Sequence, residues 1–214
     1  MIFPLLSSVI VFCIWLKIMT NRTNKKVREA NSEFWEKERL ANNVRKKSLD
    51  DLEYITIPVS ELPFGAITDN NDVAYIEKRI KDLSETKIVN LTGLSNTDLK
   101  LEYGTANITV LIRYDTNYTS LVTSLQRWAK FLSEKSLYAE AAKVLEFAIS
   151  TKTDVTESYK LLYKIYSEHL DMELSDLDSK LDYLIQTASS LNSLSKDKIL
   201  SFLNSKKSDL LTIA

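Results

Sequence analysis

The chain opens on a continuous apolar run and then changes period twice. Residues 1–16 carry no charged side chain, and Ile18 and Met19 carry the run past Lys17. A membrane-spanning helix needs roughly 20 apolar residues, with about 18 as a working minimum. Lys17 can lay its methylenes along such a helix while its ammonium reaches the headgroups. Trp15 suits the same interface. The pattern predicts a transmembrane anchor at residues 1–19, single-pass, with Trp15 and Lys17 as anchor residues. A cleaved secretory signal would carry a basic stretch before the apolar run and a small-residue cleavage site after it, and neither occurs.

Beyond the anchor the apolar spacing becomes helical. Val27, Ala30, Phe34, Ala41 and Val44 fall on a stripe of three- and four-residue steps, with Lys37 filling the gap after Phe34, which predicts a basic amphipathic stem helix at residues 20–50. Such a stripe can pair two copies as a short coiled coil, pack on its own domain, or lie on the membrane. Residues 51–117 then read as an extended, irregular segment. Pro58 and Pro63 exclude a central strand. Ile55, Ile57, Leu62 and Phe64 are candidate anchoring side chains for a segment laid across a helical domain. Within it Val73, Ile76, Ile80 and Leu83 predict a short helix at about 72–83, capped by Asn71 or Asp72. Asn90, Gly93, Asn96, Asp98, Gly104 and Asn107 predict an ordered loop over 88–107.

Residues 105–214 contain neither glycine nor proline. The periodicity predicts helices near 118–134, 137–150, 156–170, 177–191 and 196–206. The expected fold class is mainly α, with a compact helical domain at 118–214. Its first two helices carry Leu125, Trp128, Ala129, Leu132, Tyr138, Ala141, Leu145 and Ala148. This pattern resembles a tetratricopeptide repeat over about residues 122–155. Leu132 stands where that family prefers tyrosine, and Thr153 where it often has proline. A second copy at Tyr159, Leu162, Tyr166 and Ala188 is degenerate, with Tyr163 at the small position. The layout as a whole resembles uncharacterised membrane-anchored proteins of low-GC Gram-positive bacteria. The repeat resemblance implies a helical protein-binding groove, which is either open or filled by the chain's own residues 52–64.

Charge sharpens the picture. Residues 17–47 hold ten basic residues against four acidic ones, a balance of +6. The whole chain carries −1 and residues 1–16 none, so residues 48–214 carry −7. The positive-inside rule places the N-terminus outside and the C-terminal domain in the cytoplasm, at the cell membrane. No basic face marks the main domain, so nucleic-acid binding is not expected.

Candidate chemistry is sparse. Cys13 and His169 are single, which leaves no zinc set, and no metal or cofactor is expected. Three glycines build neither a Walker loop nor a dinucleotide fingerprint. Asp98, Glu102 and Asp115, with Arg113 nearby, leave one opening for a hydrolase, against the simpler use of those carboxylates as caps and turn acceptors. The chain is therefore not expected to be an enzyme. Tyr159, Tyr163 and Tyr166 form an aromatic stripe which, with Lys160 and Arg127, is the expected partner-binding surface. The expected function is a membrane-anchored scaffold that binds another protein. The alternatives are a self-associating structural protein and, last, the hydrolase.

Overall fold

The structure, a computed structural model, describes residues 3–213 and the side chains of residues 12–210. Among the described residues it is helical, with no strand. The helices are α1 (Phe3–Asn42), α2 (Asn71–Ser84), α3 (Asn96–Tyr103), α4 (Ile108–Glu134), α5 (Tyr138–Ser150), α6 (Thr156–Glu168), α7 (Leu174–Ser189) and α8 (Lys196–Ile213). A single 3-10 turn, Thr105–Asn107, precedes α4. The chain divides into two compact units, Met1–Ser48 with Ser95–Ile108, and Leu49–Leu94 with Thr109–Ala214.

Among the described residues no helix is long and apolar enough to cross a membrane. The expected anchor at 1–19 is not supported by them. Its apolar weight falls largely on residues 1–11, whose side chains lie outside the described residues. From Phe12 onward the run is broken by Lys17 and followed by Arg22, Lys25 and Lys26. The helix itself does not pause at residue 20; α1 is continuous to Asn42.

In the first unit the lower end of α1 is clamped to α3. Lys37 donates to Asp98 at 2.7 Å. The Glu38 carboxylate accepts from Lys100 and, at 2.7 Å, from the Thr97 hydroxyl. One turn further, the Thr105 hydroxyl donates to the Ala41 carbonyl. The buried Asn107 amide donates to the carbonyls of Lys47 and Tyr103. α3 itself exists because Ser95 and Asp98 form a reciprocal capping box at its start. Gly104 ends it at φ +85°, and a Cβ there would stand 2.3 Å from the Arg45 carbonyl oxygen. The upper part of the expected stripe is uncovered: Val27 and Phe34 are each about half exposed, and only Ala41 is buried.

The second unit has one core. Trp128, fully buried, lies in it with Leu125, Ala129 and Leu132 of α4 and with Ala141, Leu145 and Ala148 of α5. α6 contributes Tyr159, Leu162 and Ile165, α7 Leu181 and Leu184, and α8 Ile199 and Leu203. α5 packs on α6, and α7 on both α6 and α8. Residues 52–67 lie against this array, with Ile57, Leu62 and Ile67 buried in its core. The Phe64 ring meets Trp128 at 4.9 Å, so the segment covers part of the helical surface. The Gly65 N–H donates to both oxygens of Glu77 on α2, which satisfies a buried carboxylate. α2 is capped by Asn70, one residue before the expected position.

Several elements differ from the sequence expectation: α1 ends at Asn42, short of the stem end expected at 50, and α8 runs to Ile213, past 206. α3 occupies part of the expected loop, and α4 begins at Ile108, ten residues before position 118. Asn96 and Asp98 lie within α3, Asn90 and Gly93 stay in a loop, and two polar residues of α4 bond that loop. Asp115 accepts from the Leu91 N–H, and Asn117 donates to the Lys87 carbonyl. Asn90 donates to the Tyr118 hydroxyl at 2.9 Å and to the Thr151 carbonyl at 3.1 Å, which pins the 88–94 loop to the end of α5.

α4 ends in a Schellman motif without glycine. The Leu137 N–H donates to the Leu132 carbonyl and the Ser136 N–H to that of Ser133. Ser136 takes φ +60° to do so. A residue with a Cβ is disfavoured in that left-handed conformation by roughly 1–2 kcal/mol. Ser136→Gly should therefore raise stability to urea, by up to about 1 kcal/mol after the extra chain entropy of glycine is set against the relief. A destabilised variant would show that the Ser136 turn is not strained.

Candidate functional site

The second unit carries a groove of about 840 Å³ built from four segments. Pro58, Ser60, Glu61 and Leu62 of the extended segment form one wall. Lys143, Glu146, Phe147 and Ser150 line it from α5, Tyr166 from α6, and Lys180 and Tyr183 from α7. The helical period places these side chains together: Lys143, Glu146, Phe147 and Ser150 fall at three- and four-residue steps on one face of α5.

An ionic cluster sits at its floor. The Tyr166 hydroxyl donates to Glu146 Oε1 at 2.5 Å, and Lys180 Nζ donates to the same oxygen at 2.7 Å. Lys180 also lies over the Tyr166 ring, 5.4 Å from its centroid. Burial pushes the Glu146 carboxyl up, but the hydrogen bonds from Lys180 and Tyr166 and the charges of Lys180 and Lys143 outweigh it and hold the group below its ordinary value. The Tyr166 phenol is pushed up, first by burial and then by the carboxylate it donates to. Glu146 is thus an anion with both cation and phenol already committed to it. Tyr183, 46% exposed, and half-buried Phe147 supply open apolar surface beside it.

The sequence-predicted residues separate. Tyr159 is fully buried, and its hydroxyl donates to the Thr153 carbonyl at 3.0 Å; it is a core side chain and presents no ring to a partner. Tyr166 is 4% exposed and reaches the groove only along one edge. Tyr163 packs edge-on against Phe202 of α8 at 5.9 Å. Lys160 pairs with Glu157 within its own helix. Arg127 lines a different hollow, with Tyr75 and Arg79. The stripe of three tyrosines is therefore not one open surface. Glu146, Phe147, Lys180 and Tyr183 belong to the groove and carry no sequence motif that points to it.

The acidic residues considered for hydrolysis have structural employment. Asp98 caps α3 and pairs with Lys37, and these contacts, the lysine first, hold it well below the carboxylate range. Asp115 accepts from the Leu91 N–H. Glu102 is exposed on α3, and Arg113 lies over the Tyr114 ring at 5.9 Å. Among the described residues no group of histidine, cysteine and carboxylate side chains is placed to hold a metal. Trp15 and Lys17 are exposed on α1.

No protein-family model, no curated protein and no solved structure matches the chain.

The cluster has a pH signature. A carboxyl group held below its ordinary pKa stabilises the fold above the ordinary range and loses that contribution as pH falls through its lowered value. Glu146→Gln should therefore be less stable than the wild type at neutral pH. The deficit should shrink as the solution is acidified below 4.5, the ordinary value of the group. Urea titrations of both proteins across acid pH read this directly, and a deficit constant over the whole range would refute the assignment.

Proposed function

We propose that this protein is a membrane-attached scaffold whose repeat-like helical domain holds a segment of another protein in the groove between residues 58–62 and α5 to α7. The observation that carries the reading is the groove itself, with Tyr183, Phe147 and Pro58 offering apolar surface around a fixed ionic cluster. Preformed helix faces with a few aromatic anchors are a common way to bind peptides. The tetratricopeptide resemblance at 122–155 supports the same reading. So does the burial of Trp128, Ala129, Ala141, Leu145 and Ala148, which leaves a close-packed helical pair as a rigid platform. Attachment to the cell membrane, with this domain on the cytoplasmic side, rests on the apolar N-terminal run and the basic residues that follow it.

A photo-crosslinking residue placed at Tyr183, and separately at Arg127, tests the groove in cells. The expected result is a single adduct from position 183 and none of that mass from position 127. Tyr183→Ala should weaken the same association about tenfold or more, the ordinary cost of an aromatic hot spot, without changing the melting temperature. Adducts only with a second copy of the chain would favour the self-association reading. No adduct from position 183 in folded protein would remove the groove as a binding site.

A further inference from the structure

We infer that residues 17–28 of α1 form a cationic collar that crosses an anionic phospholipid headgroup layer end-on; this rests on the membrane attachment proposed above. Three observations carry it. First, the charges on α1 are segregated and differently satisfied. Lys17, Arg22, Lys26 and Arg28 make no ion pair among the described residues, and Lys25 only approaches Glu29, at 3.8 Å with both side chains exposed. Two of the acids further along are committed within the protein, Glu36 to Arg39 and Glu38 to Lys100 and Thr97.

Second, α1 is one unbroken helix, so positions along it convert to height. At 1.5 Å per residue, Arg22, Lys25 and Lys26 stand within about 11 Å of Met19, while Glu29, Glu33 and Glu36 stand about 15, 21 and 26 Å away. An anionic surface acts over roughly a Debye length, about 8 Å in physiological salt. An upright helix therefore holds Arg22, Lys25 and Lys26 nearer the surface field than any acid of α1.

Third, the distribution around the axis fits a crossing helix and not one lying flat. Phe12, Ile14, Trp15, Leu16, Ile18 and Met19 are exposed on all sides of α1. Between residues 20 and 28 the side of the helix away from Arg22, Lys25 and Lys26 holds Thr20, Thr23, Asn24 and Val27, with Arg28 at its edge. A helix lying in an interface needs a broad apolar face, and Val27 alone does not make one.

The test is flotation of the full chain with vesicles of phosphatidylcholine alone and with vesicles that also contain phosphatidylglycerol. The wild type should favour the anionic vesicles. The variant Arg22→Gln, Lys25→Gln, Lys26→Gln should lose about fivefold in that preference per charge removed, roughly a hundredfold in all, while binding phosphatidylcholine vesicles as the wild type does. Equal binding of the wild type to both vesicles would overturn the collar and leave the attachment standing. Preference retained in the variant would also overturn it, because the readers would lie elsewhere. A wild type that floats with neither vesicle would remove the membrane attachment itself.

Discussion

The second unit is governed by a backbone constraint: residues 105–214 must make every turn with side chains that carry a Cβ. Helices without a breaker run until something else stops them. Here α4 and α5 stop in hydrogen-bonded closures at Ser136 and Lys152, both at φ +60°, while α6 and α7 end at His169 and Ser190 with negative φ. The connections that result are short, which sets successive helices against one another. Close approach then requires small residues at the crossing points, and α5 supplies Ala141 and Ala148, fully buried. Trp128 and Leu145 fill the space that those alanines leave. Backbone strain at two turns is the physical counterpart of a core that needs no glycine.

The extended segment answers a second need of the same array. A few helices in a row leave apolar surface at their flank. Ile57, Leu62 and Ile67 go into the core, and Phe64 closes over Trp128. All the glycines and prolines outside the first unit are spent here and in the adjoining loop, at Pro58, Pro63, Gly65 and Gly93. Gly93 is required by contact, since a Cβ there would stand 2.1 Å from the Asn192 carbonyl oxygen. The segment therefore serves as cover for the core and, along residues 58–62, as one wall of the groove.

How much of this was legible depends on the range of the interactions. The helices from position 118 onward and α2 follow from apolar spacing, because burial of one face decides them. α3 was hidden by its own composition. Asn96 and Asp98 read as turn residues, yet Ser95 and Asp98 stand at the three-residue spacing of a capping box with aspartate in the glutamate position. The start of α4 was hidden likewise, because Asp115 and Asn117 turn out to bond a loop packed beside the helix. The tyrosines show the limit of periodicity. Tyr159, Tyr163 and Tyr166 share a helical side, but spacing alone does not say which edge of that side faces inward. The groove was not legible at all, since Glu146, Tyr166 and Lys180 meet only through packing of three helices.

The state of Glu146 constrains what the groove can read on the proposed reading. Its Oε1 already accepts from a phenol and an ammonium, at 2.5 and 2.7 Å. A partner that drew Lys180 away would leave a half-buried carboxylate short of a donor, and losing a charged hydrogen bond costs more than a new neutral one returns. The cluster thus acts as a fixed floor and contributes shape. Discrimination then falls on the surfaces that are still open: the Tyr183 and Phe147 rings, and the Lys143 ammonium, which makes no ion pair among the described residues. A segment with an apolar side chain for the rings and an acidic one for Lys143 would complete the groove without disturbing the floor. A basic segment would instead be repelled by both lysines, with Glu61 on the opposite wall as its one uncommitted acidic contact.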